Sequence, residues 1–481
     1  MFSGSTGIGS RFWTFVLVSA LVLLVAATST ARLPKNLKFG DIEYKAPEVE
    51  KIEFPNGLHG YFLEDHEIPV VSIVIMFKTT YPDEAGTGLN SLAGWAMRNG
   101  GSLGFSKETI DDELEFVGAS IETSAGGMTG TISADFLTKD AGMVVEILTD
   151  LIVNPAFEED KVELRKKSMI ESIRRKADDP WALGRREYAK IVYRNHPAGR
   201  EATVETVSGL TRDDAVEFHR KYVRPNNAVI GITGDLTRDE AFAMLAELSA
   251  EWEPGGESPV VPPMEFDLEP SINYIYKDVN QAYIFAGHMG LNSANEDRPL
   301  VAIMNYILGG GSFTSWITQR IRSDEGLAYS ARSSYGDNPW GYGLFTGSCQ
   351  TRSDAAIRAL GLLIEQIERM KTEGPSAEEV TNAKDAIVNQ QVFEYESSAR
   401  IVNRMVWFDI TGQPLDTLER ELAVYQAAGL EDVKRAGREY LHPGGLTILV
   451  VGNEELFDRP LSDLGDVNVI EVEEIEEPEE G

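Results

Sequence analysis

A single cysteine, Cys349, stands in a chain of 481 residues. One thiol excludes an intrachain disulfide and any zinc knuckle built on cysteine. Histidine is nearly as scarce, with His59, His66, His196, His219, His288 and His442 making up the full set. No two lie three to five residues apart, so no helix turn offers a histidine pair to a metal ion. Basic residues are also few, 44 Lys and Arg against 77 Asp and Glu, for a net charge of −33. That balance excludes nucleic acid as a partner, because phosphate backbones demand basic surface. The acidity fits either basic substrates or a solubilising surface, and the second is the simpler reading.

Long apolar runs are confined to the N-terminus. Arg11 precedes "FWTFVLVSALVLLVAA", which ends at Ala27 and gives way to the small-residue stretch "TSTA". This is the pattern of a signal peptide over residues 1–31, with cleavage after Ala27 or Ala31. An uncleaved membrane anchor is the alternative, since the run is only slightly short of a full span. Either way the rest of the chain is expected to be exported, to the periplasm or anchored at the membrane. No later segment is apolar enough to cross a bilayer. Residues 461–481 end in "VEEIEEPEEG" and are expected to form a disordered acidic tail.

Between these ends the composition is that of a folded protein, 42% hydrophobic. The length fits two domains of about 200 residues each. An internal repeat points the same way. "YVRPNNAVIGITGD" from Tyr222 matches "YLHPGGLTILVVGN" from Tyr440, and "PAFEED" from Pro155 parallels "PSAEEV" from Pro375. The two offsets are nearly equal, so one register relates two copies of one domain. The β-branched runs "AVIGIT" and "LTILVV" read as buried strands. Thr211 with Asp214, Thr237 with Glu240 and Ser376 with Glu379 read as helix-capping boxes. The Pro- and Gly-rich stretch at residues 253–269 reads as a linker. The expected fold is α+β: two similar sandwich domains, over residues 38–252 and 270–460, each a mainly antiparallel sheet with helices on one face.

Several stretches in order, among them "NGLHGYFLEDHEIPVVSIVIMF", "GTGLNSLAGWAMRNGGS", "HPAGR" and "ILGGGSFTSWITQRIRSDEGLAYSARSSY", resemble the peptidase M16 family of insulinase, pitrilysin and mitochondrial processing peptidase. The size of each half is similar to the bacterial two-domain subunits that work as dimers. In active members the first helix carries His-x-x-Glu-His, which supplies two zinc ligands and the base that activates a metal-bound water. Here the same places hold Ser91, Gly94 and Trp95. Ser is a poor neutral ligand, Trp offers no free lone pair, and Gly moves no proton. The third ligand position falls at Glu171 or Ser172. No metal site and no cofactor are therefore expected in this chain. Trp95 would plug the vestigial space or simply pack in a core.

In the family the opposite domain contributes an Arg and a Tyr that touch substrate. "RIRSDEGLAYS" keeps the pattern, with Arg322 and Tyr329 seven residues apart. Both side chains donate hydrogen bonds suited to a peptide carbonyl or its oxyanion. "GGGSFTS" before them lacks the Lys-Ser/Thr of a phosphate-binding loop, and Trp316 replaces an Arg common in the family. The resemblance implies a non-catalytic subunit of a heterodimeric peptidase, inactive alone. Its partner would be a sister subunit with His-x-x-Glu-His intact and the zinc, and its substrates unstructured peptides. A structural or assembly protein of the same fold, with no part in catalysis, is the alternative.

Overall fold

The repeat detected in the sequence appears as two six-stranded sheets that share the order of five strands. The computed structural model describes residues 48–194 and 196–472. The expected signal peptide and the last residues of the acidic tail lie outside that range. The first sheet comprises β1 (Glu50–Glu53), β2 (His59–Glu64), β3 (Val70–Lys78), β4 (Ser120–Gly126), β5 (Thr129–Leu137) and β6 (Ala228–Gly234), in the order β1-β2-β6-β3-β5-β4. The second comprises β7 (Ser271–Tyr276), β8 (Gln281–Met289), β10 (Ala328–Tyr335), β12 (Leu344–Arg352), β13 (Thr447–Gly452) and β14 (Val467–Val469). Its order is β14-β7-β13-β8-β12-β10, in which β7-β13-β8-β12-β10 repeat β2-β6-β3-β5-β4. The sixth strand differs, because β1 comes first in its sheet and pairs antiparallel while β14 comes last and pairs parallel. The two-residue strands β9 (Leu291–Asn292) and β11 (Asp337–Asn338) form a ladder of their own. Pairing is antiparallel except at β2/β6, β7/β13, β7/β14 and β9/β11.

The fold is thus the expected α+β pair of mainly antiparallel sheets. Residues 253–270 contain neither helix nor strand. One boundary needs correction: Leu461 is fully buried and Val467–Val469 pairs with β7, so order continues into the stretch expected as a disordered tail. The acidic composition there hid a short edge strand whose backbone bonds do not depend on its side chains.

Eight helices matter for the site: α1 (Leu89–Asn99), α2 (Ala141–Val153), α3 (Glu159–Asp178), α4 (Pro180–Tyr193), α5 (Arg212–Tyr222), α6 (Ala356–Thr372), α7 (Ser398–Thr411) and α8 (Leu430–Tyr440). Leu92, Ile147, Val162 and Phe218, from α1, α2, α3 and α5, join β1–β6 in one core. Leu360 and Val433, from α6 and α8, do the same for the second sheet. The expected capping boxes form: Thr211 with Asp214 ahead of α5, Thr237 with Glu240, and Ser376 with Glu379.

The remaining two helices are exchanged. From the second half, α7 lays Val402, Val406 and Ile410 on the face of the first sheet formed by Tyr61, Val74 and Val229. From the first half, α4 lays Leu183 and Tyr188 on Phe285 and Val451 of the second sheet. Glycines set the closeness of both contacts. A Cβ on Gly231 would fall 2.5 Å from Val402, and one on Gly184 would fall 2.4 Å from the Phe285 ring. Every residue of β6 and β13 is consequently buried. Strands covered on both faces read as continuous apolar runs, which is how these two read in the sequence.

Candidate functional site

Helix α1 starts at Gly88, whose φ of 107° favours glycine, and runs over the inner end of β4. Asn90 ties the start down: its Nδ2 donates to the carbonyls of Thr80 and Gly127, each at 3.0 Å. At the next turn the helix touches strand backbone. An ideal Cβ on Gly94 would lie 2.1 Å from Ala125 N and 2.6 Å from Ser124 C. The Thr123 hydroxyl donates to Gly94 O at 2.6 Å and accepts from Arg98 N at 3.1 Å. It therefore bridges the two groups that a regular helix would bond to each other. The position aligned with the catalytic Glu is thus closed by strand backbone.

Ser91 and Trp95 share the face of α1 turned toward α3, and a cation from α3 stands between them. Arg165 Nη2 donates to Ser91 Oγ at 3.2 Å, and the guanidinium lies 5.5 Å from the Trp95 ring centroid. Burial holds the Arg165 pKa below its ordinary value. Of the two candidates for a third ligand position, Ser172 faces this cavity, whereas Glu171 is exposed and accepts from Arg174 at 2.7 Å. A zinc ion does not fit these residues. Ser91 already accepts from a guanidinium, Gly94 has no side chain, and Trp95 is half-buried against the core. Among the described residues, no group of three or more His, Cys, Asp and Glu side chains is placed to hold a metal ion.

The second cluster brings Arg322 and Tyr329 together and adds a member that sequence reasoning missed. The Arg322 guanidinium lies 4.8 Å from the Phe313 ring centroid and 5.5 Å from that of Tyr329. Both rings are largely exposed, 63% and 77%. Tyr329 sits where the β10/β12 register shifts between Ala328 and Ser330, on the outermost strand of its sheet. Such a bulge re-aims a side chain. Arg322 lies in a π-helical segment, Thr318–Asp324, and a second one, Tyr306–Gly310, leads into the Gly-rich loop that carries Phe313. π-helical turns are rare and gather at functional sites. Trp316, by contrast, belongs to the core: it is 6% exposed, donates to Glu379 at 2.6 Å and is covered by Arg369. Among the described residues, no hydrogen bond, ion pair or ring contact joins the Ser91 cluster to the Arg322 cluster.

Comparison with known proteins agrees with this geometry. Residues 209–387 match the family model of the peptidase M16 inactive domain. The chain is similar to the peptidase M16 family, and over residues 209–387 to its inactive domain. A non-peptidase homologue from Helicobacter pylori, YmxG, is 23% identical over 403 residues, 82% of this chain and 91% of that protein. The crystal structure of a peptidase M16 inactive domain from Pseudomonas fluorescens superposes with a TM-score of 0.77 at 24% identity, covering 86% of this chain and all of the other. The periplasmic protease PqqL of Escherichia coli superposes with a TM-score of 0.71 at 14% identity, over 90% of this chain but 50% of PqqL. The family match lies in residues 209–387 and leaves the helix with Ser91, Gly94 and Trp95 outside it.

Proposed function

We propose that this chain is the non-catalytic subunit of an M16-type peptidase, lending Arg322 and Tyr329 to a sister subunit that keeps His-x-x-Glu-His. The observation that carries the proposal is the Arg322 stack. Arg322 has no carboxylate partner among the described residues, and it is held between two exposed aromatic rings at a strand bulge. Exposed aromatics around an unpaired cation add little to folding. They do hold a guanidinium in one orientation, ready to donate to a peptide carbonyl and, more strongly, to the oxyanion that forms from it. Tyr329 adds a phenolic donor beside it. PqqL, half of which this fold covers, supports the idea that a unit of this size works beside a second one. The proposal includes export, on the N-terminal pattern.

The test is co-expression with a sister subunit bearing the intact motif. The pair should degrade unstructured peptides, and neither a bound zinc nor activity should accompany this chain alone. Arg322→Ala or Tyr329→Phe should slow turnover by some hundredfold to thousandfold, about 3–4 kcal/mol for one lost oxyanion donor, with the complex eluting unchanged. Turnover by both variants at the parent rate would make the chain a scaffold of M16 fold instead.

A further inference from the structure

The cavity beside Ser91, about 630 Å³, is a basic pocket in a strongly acidic protein. One face of α3 lines it, with Arg165, Ser168, Ser172 and Lys176 recurring at helical spacing. Arg200 and Arg186 stand on the other walls, against a single carboxylate, Glu201. Arg186 is already engaged, 2.9 Å from Glu187 and 3.8 Å from Glu201. Arg165, Lys176 and Arg200 have no carboxylate within ion-pair distance among the described residues. Supply is not the reason, because Asp and Glu number 77 against 44 Lys and Arg. The Arg165 Nε is moreover buried without an acceptor, a costly arrangement for a charged group unless something else bonds it.

Three like charges around one cavity repel one another, and a bound anion removes that repulsion. The space is far larger than a lone inorganic anion fills and falls in the range of organic ligand sites. Gly126, at the end of the edge strand β4, lines the cavity with backbone, and Met169 and Ile173 add apolar wall. Edge-strand backbone beside a side-chain pocket is the combination that takes an extended peptide.

We propose that this cavity binds an acidic peptide segment, with Asp or Glu carboxylates received along its walls by Arg165, Lys176 and Arg200. The guanidinium of Arg165 stands beside the first vestigial ligand position, so a fixed positive charge remains at this place. The inference rests on the peptide-handling reading for the ligand's backbone and on the pocket for its charge.

Fluorescence anisotropy on the purified full chain tests it, with a labelled unstructured peptide containing Glu and the same peptide with Gln at those positions. The Glu peptide should bind at least about tenfold more tightly, the effect of one charge-assisted hydrogen bond, and millimolar inorganic phosphate should displace it. Arg165→Gln and Arg200→Gln should abolish the difference and leave the Gln peptide unaffected. Lys176 is exposed, so Lys176→Gln carries the test if a substitution at Arg165, which also touches Ser91 and Trp95, loosens the helix. Equal binding of the two peptides overturns the charge preference and leaves the peptide-handling reading intact. Binding of neither overturns both. Binding of phosphate without binding of peptide overturns the proposal in favour of a small-anion site.

Discussion

At the scale of single residues, the buried histidines are the most legible in chemistry and the least legible in sequence. His288 is 2% exposed, between the rings of Tyr335, Phe345 and His442. Its Nδ1–H donates to Met289 O at 2.6 Å and its Nε2 accepts from His442 N at 3.2 Å. A second proton on Nε2 would set one N–H against another. Burial accordingly depresses its pKa to about 4, and burial does the same to His219, which donates to Ile152 O at 2.8 Å. Unfolded, both titrate near 6.5, so between about pH 6.5 and pH 4 the unfolded chain binds more protons and stability falls as pH falls. The full drop is on the order of 3 kcal/mol per histidine. Carboxylates held low, such as Asp409 bonded by His59 and Tyr61, add their loss only below about pH 4. Denaturant unfolding at about pH 7 and about pH 4.5 should show the decline, and His288→Gln, which keeps a donor and an acceptor, should remove part of it. A flat profile would mean that these histidines are solvated. Residue spacing alone carried none of this. The family resemblance pointed to Arg322 and Tyr329, but Phe313 and Arg165 reach their clusters through the fold.

Among elements, legibility divides along local and non-local bonding. Capping boxes form within four residues, so the pairing of Thr211 with Asp214 follows from their spacing alone. The approach of α1 to β4 does not, because it is decided by an absent side chain at Gly94 and a hydroxyl from Thr123, on a strand remote in sequence. Residue type says that Gly94 is no base; the geometry adds that there is no room for one. Gly94→Ala should therefore destabilise the protein, although alanine is favoured over glycine within helices by about 1 kcal/mol. Overpacking costs about 1–3 kcal/mol where side chains can yield. Here the obstacle is backbone, so the upper end or beyond is expected in denaturant unfolding. The combined Ser91→His, Gly94→Glu and Trp95→His variant should lose the packing of α1 on β4 and bind no stoichiometric zinc by elemental analysis. A stable Gly94→Ala variant would show that helix and strand separate easily.

For the whole molecule, the exchange of α4 and α7 decides how the two halves behave. The repeat offsets predicted two similar units, and the order shared by five strands of each sheet bears out that similarity. Val402, Val406 and Ile410 recur every four residues along α7, a spacing that gives the helix one apolar face. It did not say against which half, because an apolar stripe carries no address. Fully buried aliphatic side chains stabilise by about 1.5–3 kcal/mol each, and those of α7 act only while the first sheet is folded. Tyr61 donates to Asp409 at 2.7 Å, and Tyr188 donates to Phe345 O at 3.2 Å, so polar bonds also cross in both directions. Each half thus completes the other's core, and neither sheet keeps both faces covered alone. Residues 48–472 should accordingly unfold in one transition, with far-UV circular dichroism and tryptophan fluorescence coinciding. Val406→Asp would set an uncompensated charge against Gly231 and Val74, at a cost of several kcal/mol. Hydrogen exchange on that variant should show protection falling in both sheets together, although the substitution touches only the first. Two separate transitions, or loss confined to β2, β3 and β6, would make the halves independent domains joined by a linker.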